Sequence, residues 1–428
     1  MSGNTVESCV PKWLHVKFLE EHLQNYYKND GVKLITFHVK PFSAKENGFT
    51  SSMYRVKVTL DIPGKGVGEV KGVKTLDLIV KEAIGDAEFL QQYDVYKKEL
   101  LFYEQIIPKM NEKLKLLNET DMFPEVYGAC KSRNIIILED LSVKGYQVLP
   151  VIRGYNVLET KSILRKLALF HAICAVLQEE RSDIFSICKL GHLSRGANGF
   201  NNFYVGTFET VIEVLSEWPE FDVYTNKLRR IGDQVIERGY QTYDMNPEHF
   251  NTLNHGDLWC PNVMLKMTNG TEEHPFENVN LIDFQFSYWG SPTTDLHYFM
   301  NTSIDGNHRP ERFYELIRGY HEHLTEFLKQ LNYHKHIPTW TEFYKQYQDR
   351  RFFGFIVSCL LQPMEINNHL NFEFKDFCMN DANGAKARRS LYEGEQIRAN
   401  LRKLIPYYDQ MGTFELNFDL GGKNKPKS

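Results

Sequence analysis

Between residues 33 and 83, β-branched and aromatic side chains gather into three short runs, at 33–40, 52–61 and 75–83, parted by turn-forming stretches. Runs of that length and composition predict neighbouring strands, and after Asp140 they all but disappear. The chain therefore has to join a small sheet to a much larger helical mass. Ahead of the sheet, Trp13, Leu14, Val16, Phe18, Leu19 and Leu23 recur at helical spacing. A helix over 93–110 and a strand pair over 125–129 and 134–139 complete the first part. Beyond residue 141 helices prevail, with short strands expected near 263–267 and 279–284. The prediction is an α+β, bilobal architecture. An N-terminal lobe over 1–140 holds a leading helix, a small antiparallel sheet and a long helix; a mainly helical C-terminal lobe covers 141–420; a flexible polar tail covers 421–428. A cleft between two such lobes is a common place for a ligand.

At 428 residues the chain is long enough for two lobes, and 42% hydrophobic content excludes disorder as its dominant state. Fifty basic against 55 acidic side chains leave a formal charge of −5, which argues against a nucleic-acid partner. The seven cysteines are odd in number, widely spread and form no CxxC pair. Reduced thiols in a cytoplasmic protein are expected, not a disulfide framework or a zinc ribbon. The sequence does not open on a basic segment followed by an apolar one. The longest apolar stretches, 167–178 and 352–364, fall short of the roughly 18–20 residues of a membrane helix and read as buried helices. No membrane span is expected, and no protein partner is evident.

Chemistry concentrates in three places. The first is His255-Gly256-Asp257, with Asn262 five residues after the aspartate and an apolar strand behind it. Phosphoryl transfer from ATP needs a carboxylate near the acceptor hydroxyl and a neutral oxygen ligand for Mg²⁺ a short loop away. One loop carrying Asp and Asn can supply both, although a polar turn has the same composition. The second is Asp283, at the end of an apolar strand 21 residues after Asn262, where an anionic metal ligand belongs. The third is Lys81 on a strand, with Glu99 eighteen residues later on a helix. A lysine holds α- and β-phosphates while a glutamate orients it. Glu82 competes for the anionic role but should face the opposite side of the sheet.

A phosphate-covering loop is expected at 41–55, where Gly48 is the single glycine and contacts fall to backbone N–H groups, Thr50, Ser51 and Ser52. The glycine-rich run 64–68 lacks the Gly-Lys-Ser/Thr ending of a P-loop and reads as the link between the second and third strands. His255 is expected to brace its loop. A metal-hydrolase reading finds no HExxH or comparable spacing to support it.

Taken together, His255-Gly-Asp-Leu-Trp-Cys-Pro-Asn262 and Leu281-Ile-Asp-Phe-Gln-Phe286 resemble the ecdysteroid kinase-like (CHK kinase-like) family, related to choline kinases and aminoglycoside phosphotransferases. Ile137-Leu-Glu-Asp-Leu141, Ser291-Pro-Thr-Thr-Asp295 and Arg351-Phe-Phe-Gly-Phe-Ile-Val357 extend the likeness over about residues 45–400. The resemblance implies a protein-kinase-like fold that transfers the γ-phosphoryl group of ATP to an alcohol, with ATP and Mg²⁺ bound. It implies Asp257 as catalytic base, Asn262 and Asp283 as magnesium ligands, and Lys81 with Glu99 as the phosphate-binding pair. Glu139 to Leu141 match the hinge beside adenine, and Asp295 matches a residue that fixes the catalytic loop.

Only 11 residues separate Asp283 from Asp295, with no Ala-Pro-Glu after them, too few for the peptide-docking segment of a protein kinase. A small alcohol is therefore the expected acceptor. The resemblance makes a steroid hydroxyl, such as that of an ecdysteroid, the leading one. A choline- or aminoglycoside-type kinase acting on a cation, and a catalytically silent pseudokinase, are the alternatives.

Overall fold

A computed structural model describes residues 10–42, 51–64, 71–83, 88–268, 276–306, 309–367, 370 and 372–415. The expected tail and Gly48 lie outside the described residues.

The first helix, α1, is Val16–Tyr27; His15 caps its start by accepting from the Phe18 N–H, and Lys28 closes it in the left-handed conformation. Strands β1 (Lys33–Pro41), β2 (Ser51–Ile62) and β3 (Gly72–Ala83) form the antiparallel meander that the three runs predict. The chain then runs helically over 95–116 as α2, built from Val95–Leu101, a π-helical turn Phe102–Ile106, and Ile107–Leu116. It returns as β4 (Val126–Cys130) and β5 (Ile135–Glu139), and β5 inserts beside β3. The sheet has five strands in the order β1-β2-β3-β5-β4, with its ladders antiparallel.

Strand alternation gives the sheet two buried faces. Val56, Val58, Leu78, Val80, Ile135 and Ile137 pack with Leu19 and Leu23 of α1. Ile136 and Leu138 turn the other way, toward Leu100, Phe102 and Ile106 of α2. Burying each such Leu, Ile or Phe contributes about 1.5–3 kcal/mol before chain entropy is set against it.

Downstream, helix predominates. The centre is α3, Val157–Glu180, started by a capping box between Asn156 and Glu159. Every residue from Ile163 to Leu177 on α3 except Arg165 is buried, which marks a core helix and not a membrane span. Among the described residues no helix is long and apolar enough to cross a membrane. The short strands β6 (Tyr146–Gln147), β8 (Val263–Met267) and β9 (Phe276–Leu281) form one small sheet; β7 (Thr252–Asn254) and β10 (Tyr288–Gly290) pair in another. Helix α4 (Thr293–Thr302) and the helical run 351–366, α5, complete the surroundings of the site.

Candidate active site

Lys81 sits near the end of β3, opposite Met53 on β2 and Ile136 on β5. Its side chain is buried on the α2 face, and Nζ donates to Glu99 Oε1 at 2.6 Å and to Asp283 Oδ1 at 2.8 Å. One ammonium thus joins the sheet, α2 and the segment after β9. Burial alone would lower the Lys81 pKa, but the charges of Asp283 and Glu99 outweigh it and hold the amine protonated. Glu82 turns away toward Trp13 beside α1, as the alternation requires.

Asp283 follows β9 with φ +68°, a left-handed conformation that Asp and Asn tolerate better than most residues. The amide of Gln285 lies 3.4 Å from its Oδ2. Between them Phe284 is fully buried and stacks on Phe102 of α2, with ring centroids 3.6 Å apart and planes within 10°. Phe123, Phe170 and His255 surround the same ring.

The Asp257 loop is braced from below. Asp295, on the first turn of α4, accepts from the main-chain N–H of His255 (2.6 Å) and Gly256 (2.9 Å) and from His171 Nε2 (3.1 Å). Gly256 has φ +81°, and a Cβ there would meet the Phe286 carbonyl at 2.1 Å, so no other residue fits. His255 is buried: Nε2 donates to the Ile282 carbonyl at 2.9 Å, and Nδ1 lies 3.4 Å from the Asp257 N–H. Burial lowers its pKa, and with both ring nitrogens engaged in the loop the side chain acts as a brace.

Asp295→Ala would strip partners from these buried donors, each costing about 1–3 kcal/mol. The expected result is a lower melting temperature, with kcat reduced more than the KM for ATP. Unchanged melting and turnover would contradict the bracing role.

Asp257 itself is half-buried. Asn262 Nδ2 donates to its main-chain oxygen (2.8 Å) and approaches Oδ2 (3.2 Å), while the Tyr298 hydroxyl donates to Oδ1 at 2.8 Å. Desolvation pushes the Asp257 carboxyl up to about 7, with the Asp283 charge adding to it and Tyr298 and Asn262 pulling the other way. Asn262 is tied in turn to β9, its carbonyl accepting the Ile282 N–H at 3.1 Å.

The structure thus gathers Lys81, Glu99, Asp257, Asn262 and Asp283 at one place, with His255 and Asp295 behind them. Leu141 is buried and opens a short turn after β5, capped by Asp140, which also meets Arg55 at 3.2 Å. One expectation needs correction, that for the Ser52 side chain. Ser52 pairs with Glu82 and shares its face, against Tyr54 and Trp13, so its side chain points away from Lys81; Ser51 is on the Lys81 side. Glu139 lies opposite Leu78 and pairs with Lys144, so its side chain also leaves that side.

Sequence reasoning missed Gln285 and Tyr298. Tyr298 was within reach, since it stands three residues after Asp295 on one helix face. The model of the ecdysteroid kinase-like family matches residues 45–333. The chain belongs to the ecdysteroid kinase-like family. None of the curated proteins matches it. The family match contains all five clustered polar residues and stops short of the 351–357 segment. Members of the ecdysteroid kinase-like family are typically kinase-like phosphotransferases, so a small-molecule kinase-like protein is the class to which this chain is assigned.

Proposed function

We propose that this chain is an ATP-dependent kinase that phosphorylates a small alcohol, with a steroid hydroxyl of the ecdysteroid type as the leading acceptor. The observation that carries the reading is the double ion pair of Lys81 with Glu99 and Asp283 beside the Asp257–Asn262 loop. We read residues 1–140 and 141–420 as the two lobes of a protein-kinase-like fold, with this cluster in the cleft between them.

In this mechanism Lys81 holds the α- and β-phosphates and Glu99 fixes the Lys81 ammonium. Ser51 and the main chain of the covering loop shield the phosphates, and Glu139 and Leu141 meet adenine through their backbone. Asp283 and the side-chain amide oxygen of Asn262 would hold Mg²⁺. That donor set fits, because Mg²⁺ takes hard oxygen ligands, keeps several waters and needs only one or two protein groups beside the phosphates. Among the described residues no cage of three or more His, Cys, Asp or Glu competes with it. When bound, Mg²⁺ supplies charge neutralisation for the phosphates. Asp257 accepts the proton of the acceptor hydroxyl, which must come within about 3 Å of the carboxylate. The six described cysteines are all free, which fits a reducing, cytoplasmic setting.

The test is a screen of purified protein with ATP and Mg²⁺ against ecdysteroids, other steroids, choline and aminoglycosides, with products identified by mass. A steroid binds mainly through apolar burial, at roughly 25 cal/mol per Å² before ordering costs. The expected result is phosphorylated steroid whose KM is flat across an ionic-strength series. Phosphocholine or phosphorylated protein as the main product would overturn the reading.

A further inference from the structure

Behind Asp257 lies a buried contact that none of these roles uses. The Tyr298 hydroxyl stands 2.8 Å from Asp257 Oδ1 and 3.2 Å from Glu365 Oε1. Tyr298 comes from α4 and Glu365 from the last part of α5, and both side chains are buried. A phenol carries one proton, so it cannot donate to two carboxylates at once. One of the two acids must supply a proton of its own.

The surroundings say which. Glu365 Oε2 has no hydrogen-bond partner, and among the described residues Glu365 forms no ion pair. The nearby Arg309 guanidinium gives an N–H to the Asn301 carbonyl and forms no ion pair with Glu365, although its charge opposes the effect of burial there. An ionised carboxylate in that place would be a buried charge with no ion pair and no donor on Oε2, a cost that Tyr298 and the Arg309 charge offset only in part. Asp257, by contrast, is open to the cleft on one side and receives N–H and O–H donors on both oxygens. Burial, with the Asp257 charge beside it, raises the Glu365 pKa well above the ordinary carboxyl range.

We propose that Glu365 is a positioning residue held as a neutral acid: it donates to the Tyr298 oxygen, commits the phenol proton to Asp257 Oδ1, and leaves Oδ2 to take the proton of the acceptor. The inference rests on Asp257 as the base. As the acceptor O–H bond breaks, its proton passes to Asp257 Oδ2. The electron pair stays on the acceptor oxygen and forms the new P–O bond as ADP leaves. Tyr298 and Glu365 keep their protons throughout, so the pair orients the base without consuming or supplying anything.

Two measurements on the full chain test it. The first needs no turnover: infrared difference spectra at pH 8 between the parent protein and Glu365→Gln. A protonated-carboxyl absorption that disappears with Glu365→Gln is expected; its absence overturns the neutral-acid assignment. The second uses Mg·ATP with water as the acceptor. Glu365→Leu should lower kcat on the order of tenfold to a hundredfold, with KM for ATP little changed, as misplacement of a reacting group does. Glu365→Gln, whose amide N–H donates to the same phenol oxygen, should recover most of that loss. A Glu365→Gln variant as poor as Glu365→Leu would mean the residue works as an anion, and a Glu365→Leu variant with normal kcat would mean it does not position Asp257; either result overturns the proposal. Asp257→Asn with normal hydrolysis overturns the base reading, and with it the role of Oδ2, while the infrared result still reports on Glu365 by itself.

Discussion

Asp257→Asn is expected to cut turnover by roughly 10²–10⁴-fold while leaving ATP affinity nearly intact, the usual effect of losing a positioned proton acceptor. The substitution keeps the side-chain shape and the oxygen that Tyr298 contacts at 2.8 Å. It replaces the other oxygen, near Asn262 Nδ2 at 3.2 Å, with an amide NH₂, which donates and cannot take a proton. Lys81, Glu99 and Asp283 do not contact the changed atoms and keep their geometry. The comparison is kcat at saturating ATP and Mg²⁺ beside calorimetric ATP affinity. A variant with near-normal kcat would remove Asp257 from the chemistry.

Asp283→Asn should be at least as damaging, and for a different reason. Asparagine tolerates the left-handed backbone at φ +68°, so the local fold survives, whereas alanine would add strain there. The lost charge is the anionic half of the proposed metal-binding pair and one of the two carboxylates on Lys81. Transfer that depends on Mg²⁺ should fall to background, with a melting temperature close to that of the parent protein. The check is activity across a magnesium series that reaches limiting concentrations. If the variant matched the parent there, Asp283 would not be a metal ligand.

Much of this site was legible because its parts are local. Asp257, Asn262 and Asp283 fall within 27 residues, each beside a strand whose apolar run announces it. Lys81 and Glu99 needed only a strand followed by a helix. Ser52 failed because its face depends on register: β2 places Met53, not Ser52, opposite Lys81, and a one-residue difference reverses every side chain. The strands Tyr146–Gln147, Thr252–Asn254 and Tyr288–Gly290 are too short to leave a periodic trace. Glu365 was invisible for a stronger reason. It ends a helix whose buried residues are otherwise mostly apolar, and its partner Tyr298 is 67 residues away, so only the folded chain brings the two together. The kinase-like order of the motifs was readable, and so were His255 and Asp295 as braces of the loop, but the Tyr298–Glu365 contact behind it was not.

The single ammonium of Lys81 is shared by Glu99 and Asp283, and Asp257 is the third carboxyl at the same floor. When all three are ionised, the cluster therefore carries more negative than positive charge. A bare triphosphate approaching it meets repulsion that the lysine cannot cancel by itself. If the site binds as proposed, nucleotide and divalent cation would enter as companions, because each lowers the electrostatic cost of admitting the other. By reciprocity, whatever factor magnesium adds to the affinity for ATP, ATP adds to the affinity for magnesium. In the proposed mechanism, the excess of carboxylates would make the floor an AND gate, selective for the paired ligand over either component.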